Sequence, residues 1–274
     1  MSSLIQKTIN ISKKYNISPK RSKGQNFLIN ESVYNQIVEV ADLQYEDIVL
    51  EVGPGLGFLT EKLAEKVNRV VAVELDDGLT EVLRARLKEK EIGNVEVINE
   101  DVLKIFNFQF SIFNFKIIAN LPYNITSIFL RKVLELENKP KSLTLMLQKE
   151  VAKRITAEPG KMSKLTVSVQ FYADAEILFN VPKTDFWPEP KVDSAVIELK
   201  IKSKKYKVDD KRFFQLVRIG FSARRKKLKN NLASGYQIKA EEAGERLKLA
   251  NLNPDCRAQD LGVQDWIKLL GYFS

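Results

Sequence analysis

Histidine is absent from the 274-residue sequence, and Cys256 is its only cysteine. An intramolecular disulfide, a zinc site made of cysteine and histidine, and a histidine general base are therefore all excluded. No apolar run approaches the roughly 20 residues that a membrane-spanning helix needs, and the N-terminus lacks the apolar block of a secretory signal. We expect a soluble, cytoplasmic, metal-free protein whose chemistry uses carboxylates, amides, hydroxyls, amines or a cofactor.

Acidic residues are in the minority, since 35 Asp and Glu face 44 Lys and Arg and leave a net charge of +9. An excess of this kind favours a polyanionic partner or an acidic surface, although many basic proteins bind neither. The N-terminal stretch is rich in lysine, as an organelle transit peptide is, but recognisable domain sequence begins near Lys20. Nothing in the sequence indicates more than a monomer.

Short β-rich runs alternate with helix-patterned segments over residues 47–148. The predicted strands are Ile48–Val52, Val70–Glu74, Val95–Asn99, Lys116–Asn120 and Leu143–Leu147. The i, i+3, i+4, i+8 spacing of an amphipathic helix is kept by Leu79, Val82, Leu83 and Leu87. This alternation predicts an α/β fold, a doubly wound and mostly parallel sheet with helices on both faces.

From about residue 166 onward, the regular alternation of strand and helix patterns ends. Two further β-rich runs, Thr166–Ala173 and Ala195–Ile201, follow without an obvious helix between them and can pair as an antiparallel edge. After a Lys-rich stretch the pattern is helical, with Phe213 opening one helix and Trp266 closing another. The predicted domain bounds are an N-terminal extension over 1–20, an α/β domain over 21–202, a linker over 203–212 and a small all-helical domain over 213–274.

A glycine-rich turn lies between the first predicted strand and the next helix, where α/β sheets bind nucleotides. Gly53, Gly55 and Gly57 let the backbone turn tightly and approach a ligand, although a tight strand–helix turn needs the same residues. Glu74 ends the second strand, where a carboxylate can accept from ribose hydroxyls. Asp101 follows the third strand, where it can accept from an adenine amino group, but each acid alone is also typical of a helix cap.

Two ligands fit these acids, NAD and S-adenosyl-L-methionine. The spacing here is G-x-G-x-G, whereas the dinucleotide fingerprint is G-x-G-x-x-G with a pyrophosphate at the helix N-terminus. Because S-adenosylmethionine has no pyrophosphate, the departure favours it as the cofactor.

The fourth predicted strand ends in the motif Asn120-Leu121-Pro122-Tyr123. An adenine amino nitrogen is a poor nucleophile, and hydrogen-bond acceptors on both of its hydrogens would free its lone pair. Asn120 offers its side-chain carbonyl and Leu121 a backbone carbonyl that Pro122 fixes, while Tyr123 can stack on the purine. Phe186 is the candidate for the other aromatic wall; a strand-ending proline turn and a loop anchor are the structural alternatives.

Six segments, taken in order, resemble the small-subunit ribosomal RNA adenine dimethyltransferase family from about Lys20 to Leu232. They are Lys23–Leu28, Glu51–Gly55, Asn120–Tyr123, Gln148–Ala152, Phe186–Ser194 and Phe221–Lys226. The resemblance implies a Rossmann-like methyltransferase domain followed by a helical domain. It also implies dimethylation of two adjacent adenosines in a hairpin near the 3′ end of small-subunit ribosomal RNA, during small-subunit biogenesis.

The resemblance also assigns residues. Cofactor contacts are implied for Gln25, Asn26, Leu28, Gly53, Gly55, Glu74, Asp101 and Asn120, and Asn120 also faces the target amino group. The helical domain is expected to bind RNA phosphates through a basic cluster that a solvated helix face would also explain: Arg224, Arg225, Lys226, Lys227 and Lys229. The departures Lys23, Trp187 and Glu189 lie in RNA-facing loops, so they bear on the substrate rather than on methyl transfer.

Three other functions stay open at this point. A large-subunit RNA adenine methyltransferase of the macrolide-resistance type shares the fold and the Asn-x-Pro-Tyr motif. A non-catalytic ribosome assembly factor could retain the fold without activity. An NAD-dependent oxidoreductase would share the glycine-rich turn.

Overall fold

The computed structural model describes residues 3–19, 25–106, 114–121, 125–203 and 206–273. Its contacts divide the chain into two compact units: a sheet unit of residues 1–152 and 175–201, and a helical unit of residues 153–174 and 202–274. Residues 153–174, which the sequence pattern placed in the α/β domain, thus cluster with the C-terminal helices.

The described part of the sheet unit contains nine strands, the seventh of which begins at Ala173 in the helical unit. They are β1 (Phe27–Leu28), β2 (Ile48–Val52), β3 (Arg69–Glu74), β4 (Val95–Asn99), β5 (Phe115–Asn120), β6 (Ser142–Gln148), β7 (Ala173–Val181), β8 (Phe186–Trp187) and β9 (Ser194–Ile201). The five strands predicted over residues 47–148 are confirmed as β2 to β6, with bounds that agree within one residue. The local alternation of apolar strands and amphipathic helices was therefore sufficient to locate them.

Seven strands form one sheet in the order β4-β3-β2-β5-β6-β9-β7. Strands β2 to β6 pair in parallel, and β9 pairs antiparallel with β6, from Ser142↔Lys200 to Gln148↔Ser194. The chain runs outward from β2 through β3 and β4, and then returns to build the other half from β5. The order therefore reverses between β2 and β5, and ligands of open α/β sheets bind outside the carboxyl ends of strands at such a reversal.

The helices of the sheet unit are α1 (Leu4–Lys14), α2 (Glu31–Val40), α3 (Phe58–Ala64), α4 (Asp77–Glu89), α5 (Val102–Ile105) and α6 (Thr126–Glu135), and α7 (Lys149–Ile155) crosses into the other unit. The predicted amphipathic face of α4 is buried. Leu4 and Ile11 of α1 pack against the cluster around Phe27 and Phe58, so the predicted extension contributes to the core.

The helical unit contains α8 (Lys164–Tyr172), α9 (Asp210–Gly220), α10 (Leu228–Tyr236), α11 (Ala240–Leu249) and α12 (Val263–Leu270). α9 begins at Asp210, with Asp209 as its N-cap, so the last residues of the predicted linker are helical. Among the described residues, no helix is long and apolar enough to cross a bilayer.

The prediction of a strand over Thr166–Ala173 is wrong, because this run forms α8 and only Ala173 enters a strand. Ser163 and Thr166 cap the helix reciprocally: each side chain accepts a hydrogen bond from the other residue's backbone N–H, at 3.1 and 3.0 Å. Phe171 then stacks on Phe213 of α9, with ring centroids 4.2 Å apart. Capping and tertiary packing thus outweigh the β propensity of a Thr-Val-Ser-Val sequence.

Gly220, the last residue of α9, lets Trp266 of α12 pack against the helix backbone. A Cβ on Gly220 would overlap the Trp266 ring. We expect Gly220→Ala to lower the free energy of unfolding by about 1–3 kcal/mol, because the fully buried indole must move. Gly244→Ala in α11 is the matched control, since its Cβ would make ordinary contacts of 3.8 and 3.9 Å. Chemical denaturation should show no loss for this control, and equal losses for both variants would contradict the packing argument.

Candidate active site

A cavity opens at the carboxyl ends of β2, β3 and β5, where the strand order reverses. Nine of the sequence-predicted site residues line it: Gln25, Asn26, Leu28, Gly53, Gly55, Glu74, Asn120, Leu121 and Phe186. These residues come from five separate parts of the chain, and the fold brings them to one place. Pro122, Tyr123 and Lys23, which the sequence also singled out, lie outside the described residues.

The glycine-rich turn forms one wall of the cavity. Gly53, Gly55 and Gly57 have φ angles of 71, 57 and 81°, in the left-handed region that favours glycine. The Gly57 N–H donates to the Pro54 carbonyl at 2.9 Å, and α3 begins at the next residue. A Cβ on Gly53 would lie 3.6 Å from the Asn120 carbonyl oxygen. The turn therefore brings the chain after β2 close to the end of β5.

Glu74 ties this turn to the end of β3. Its carboxylate accepts hydrogen bonds from the Gly55 N–H at 3.1 Å and from the Asp76 N–H at 3.0 Å. Burial raises the pKa of Glu74, and these two backbone donors oppose the rise. Each oxygen can accept a further hydrogen bond, so the group can still hold a ligand hydroxyl.

Glu51 lines the same cavity and was not predicted as a site residue. It is 2% exposed, and its Oε2 has no hydrogen-bond partner among the described residues. Burial raises the pKa of Glu51 to about 8, and the nearby charge of Glu74 acts in the same direction. A buried carboxyl with a free acceptor is costly in the fold but suits a cationic or hydrogen-donating ligand.

The N-terminal segment is held at three points beside the cavity. Gln25 Nε2 donates to Asp76 Oδ2 at 3.4 Å, and the Tyr34 hydroxyl donates to the Leu28 carbonyl at 3.0 Å. In addition, β1 pairs antiparallel with β8, with Leu28 opposite Phe186. This places a segment that only the family resemblance nominated next to the glycine-rich turn.

The predicted reacting end consists of Asn120, Leu121 and Phe186. Asn120 is the last residue of β5, and the Leu121 N–H donates to the Met146 carbonyl of β6 at 3.3 Å. Phe186 is 4% exposed and packs in the same core cluster as Leu28. An amide, a backbone carbonyl and an aromatic residue therefore line the same cavity.

Asp101 is not among the residues that line the cavity. It is the N-cap of α5, and its Oδ1 accepts from the Leu103 N–H at 2.8 Å. The cavity contains instead Leu75, which is 58% exposed, and Asp76. Leu75 and Asp76 directly follow Glu74 at the end of the second predicted strand, so their position at a strand end could have identified them from the sequence. Within the described ranges, no group of three or more His, Cys, Asp or Glu side chains is placed to hold a metal ion.

The basic cluster of the helical unit occupies the turn before α10 and the start of that helix. Arg224, Arg225 and Lys226 are exposed and form no ion pair with another described residue. Lys227 and Lys229 instead both pair with Asp255, at 3.0 and 2.8 Å.

Asn231 braces the turn that carries these cations. It is 3% exposed, and its Nδ2 donates to the carbonyls of Gly220 at 2.6 Å and Ala223 at 3.1 Å. The cluster is thus a braced turn and not the solvated helix face considered above.

The sequence profile of the family described as ribosomal RNA adenine dimethylase matches residues 16–273. The chain belongs to the ribosomal RNA adenine dimethylase family. A protein named ribosomal RNA small subunit methyltransferase A from Alkaliphilus metalliredigens is 42% identical over 273 residues, covering 96% of this chain and 94% of its own. A protein of the same name from Dehalococcoides mccartyi is 41% identical over 259 residues, covering 93% and 88%. The family resemblance drawn from six motifs is confirmed.

Solved structures confirm the predicted fold class. A dimethyladenosine transferase from Plasmodium falciparum superposes with a TM-score of 0.75 at 27% identity, covering 88% of this chain and 94% of its own. The 23S rRNA methyltransferase ErmE gives a TM-score of 0.74, also at 27% identity, with coverage of 90% and 99%. The doubly wound, Rossmann-like methyltransferase fold is therefore shared with both structures.

The raised pKa of Glu51 makes stability depend on pH. In the unfolded chain the pKa of this carboxyl is its ordinary value of 4.5, and in the folded chain it is about 8. The folded state thus binds the proton more tightly, so wild-type stability falls as pH rises from about 4.5 to 8 and then levels off. Glu51→Gln should remove this fall and be more stable than wild type by about 1–4 kcal/mol at pH 8.5.

Denaturant unfolding at pH 5, 6.5 and 8.5 measures this difference. Glu46→Gln, in the exposed turn before β2, is the control and should leave the pH profile of the wild type unchanged. If the free energies of unfolding of Glu51→Gln and wild type differed by the same amount at all three pH values, Glu51 would already be ionised at pH 5.

Proposed function

We propose that this protein transfers methyl groups from S-adenosylmethionine to the exocyclic amino groups of two adjacent adenosines in a hairpin near the 3′ end of small-subunit ribosomal RNA. The observation that carries the proposal is the cavity, where a glycine-rich turn, buried acids, Asn120, Leu121 and Phe186 meet. The substrate is the ribosomal RNA or the pre-assembled small subunit, which places the enzyme in small-subunit biogenesis in the cytoplasm.

The lining of the cavity fits S-adenosylmethionine. The free acceptor of Glu51 suits the cationic methionine end, and the Glu74 carboxylate suits the ribose hydroxyls. Leu75 offers exposed apolar surface to a purine. Gln25, Asn26, Leu28, Gly53 and Gly55 complete the proposed contacts, and Asp101 remains a proposed contact that the cavity lining does not include. The cofactor, when bound, supplies a methyl group that its sulfonium already activates.

The work of the protein is then to hold the adenine amino group in line with that methyl group. The Asn120 side-chain carbonyl and the Leu121 backbone carbonyl each accept one amino hydrogen, which favours a pyramidal nitrogen with an available lone pair. Phe186 stacks on one face of the extruded base, and Tyr123 is proposed for the other. None of these steps requires a histidine, in agreement with the composition.

Large-subunit methylation is the second candidate, because ErmE matches the fold as well as the dimethyladenosine transferase does. Relatives at 40–42% identity from Dehalococcoides mccartyi, Alkaliphilus metalliredigens and Listeria monocytogenes are named for the small subunit, which favours the first candidate. Primer extension on both ribosomal RNAs after methylation would locate the modified adenines and decide between the two.

Asn120→Ala should lower methyl transfer to small subunits that lack the modification. We expect a loss of kcat of about 100-fold or more, because one of two aligned acceptors is removed from the amino group. Labelled S-adenosylmethionine and mass spectrometry of the RNA measure the product. Asn35→Ala, at an exposed position of α2, is the matched control and should retain wild-type activity. If wild type binds cofactor but methylates no ribosomal RNA, the protein is an assembly factor and the proposal fails.

RNA phosphates are the proposed ligands of the basic turn. The three unpaired cations Arg224, Arg225 and Lys226 should bind phosphates more strongly than Lys227 and Lys229, because Asp255 already partly neutralises the latter two. Alanine at Arg224 or Arg225 should therefore reduce the slope of log K against log salt by about 0.7–0.9 each. Lys227→Ala should reduce it by less. Filter binding of the substrate RNA at several salt concentrations measures the slopes, and equal slopes for all three variants would contradict the role of Asp255.

A further inference from the structure

Strands β1 and β8 form a two-stranded sheet of only two residues each. Phe27 lies opposite Trp187, and Leu28 lies opposite Phe186. One further backbone hydrogen bond, from the Ile29 N–H to the Asp185 carbonyl at 2.8 Å, extends the pairing. A ladder this short is not stable by its backbone bonds alone, so side-chain packing must hold it.

The two faces of this ladder pack in different places. Leu28 and Phe186 belong to the large core cluster, with Val49 and Ile118. On the other face, Trp187 packs against a smaller cluster that contains Phe27, and the two rings stack with centroids 6.5 Å apart and planes at 23°. Phe27, Leu28 and Phe186 line the cavity, whereas Trp187 is not among its lining residues. Any effect of Trp187 on a ligand inside this cavity is therefore indirect.

Phe27 packs between Trp187 and the glycine-rich turn. Its ring packs in one core cluster with Leu56, the residue after Gly55, and a Cβ built on Gly55 would lie 3.5 Å from it. Gly55 in turn donates its N–H to Glu74. A continuous set of contacts thus runs from Trp187 through Phe27 to the residues proposed to hold the cofactor.

The loop that bears Phe186 and Trp187 is closed on itself by charged groups. Asp193 Oδ1 accepts from the Lys183 N–H at 3.1 Å, and Lys183 Nζ pairs with Glu189 at 2.6 Å. The Lys149 N–H donates to the Asp193 carbonyl at 3.0 Å, which anchors the end of the loop at β6. These contacts join the two ends of the loop and tie its last residues to the start of α7.

We propose that Trp187 is a positioning residue that couples cofactor binding to adenine binding, by stacking on Phe27 and so joining the cofactor-lining segment to the Phe186 wall. The inference rests on the proposed function. A cofactor that favours one position of Gln25–Leu28 also favours the matching position of β8 through the ladder, and the RNA then binds to Phe186 in that position. Coupling is reciprocal, and therefore RNA must tighten cofactor binding by the same factor.

Equilibrium titration tests the coupling with S-adenosylhomocysteine as an unreactive probe. Its Kd is measured for the full-length protein with and without saturating small subunits that lack the modification. We expect the subunits to tighten probe binding to wild type at least about 5-fold, the lower end of ordinary coupling between sites. Trp187→Ala should bring this ratio close to 1, while Trp187→Phe should retain most of it because a ring still stacks on Phe27. Tyr45→Ala, which removes a tyrosine that is 67% exposed in the turn before β2, should match wild type.

The ratio of the two Kd values separates positioning from general damage. An irreversibly unfolded fraction lowers the number of binding sites but leaves the ratio unchanged, and reversible unfolding can only raise the ratio, because the subunits then also favour the folded state. The stacking role would be overturned if Trp187→Ala had the same ratio of Kd values as wild type. It would also be overturned if the ratio fell to about 1 in Trp187→Phe as well as in Trp187→Ala. A ratio of 1 in wild type that still methylates small subunits would overturn the coupling and leave the proposed function intact. Absence of methylation by wild type would instead reject the proposed function.

Discussion

Glu74 ends β3 with both carboxylate oxygens accepting backbone N–H groups, one from Gly55 and one from Asp76. Glycines in a turn are entropically costly to order, and the hydrogen bond from the Gly55 N–H to a buried carboxyl oxygen helps to fix them. The bond joins the turn after β2 to the strand end of β3, while the parallel pairing of β2 with β5 brings Asn120 alongside. The positions of the glycine-rich turn and of Asn120 thus depend on one buried carboxyl group and one pair of strands.

Local pattern and family motif predicted most of this arrangement. The five strands over residues 47–148, the glycine-rich turn and Glu74 follow from periodicity and strand-end position, both of which a sequence displays directly. The same reasoning failed at Thr166–Ala173, where β-branched residues indicated a strand but a reciprocal cap at Ser163 and packing on Phe213 made a helix. Propensity is a weak signal when a whole helical face is buried by tertiary contacts.

Other features could not be predicted, because they arise from contacts between distant parts of the chain. The pairing of β1 with β8 joins residues about 160 positions apart, and strands of two residues show no periodicity. The partial neutralisation of Lys229 by Asp255 spans 26 positions, so the sequence shows five cations of which three have no ion-pair partner among the residues that the structure describes. Charge counted along a chain therefore overstates the charge that a surface offers to RNA.

Burying Glu51 lowers the stability of the fold, and this penalty bears on the function of the site. A carboxyl buried to 2% exposure with an acceptor that no described residue satisfies makes the folded chain less stable at neutral pH than an amide or an apolar residue would. Natural sequences depart from local rules of this kind mainly where a ligand supplies the missing partner. The chain has no histidine with which to vary charge near neutral pH, and burial gives Glu51 a pKa in that range instead. A cation bound beside Glu51 would favour its ionised form, so the ligand would remove the penalty that the fold alone bears.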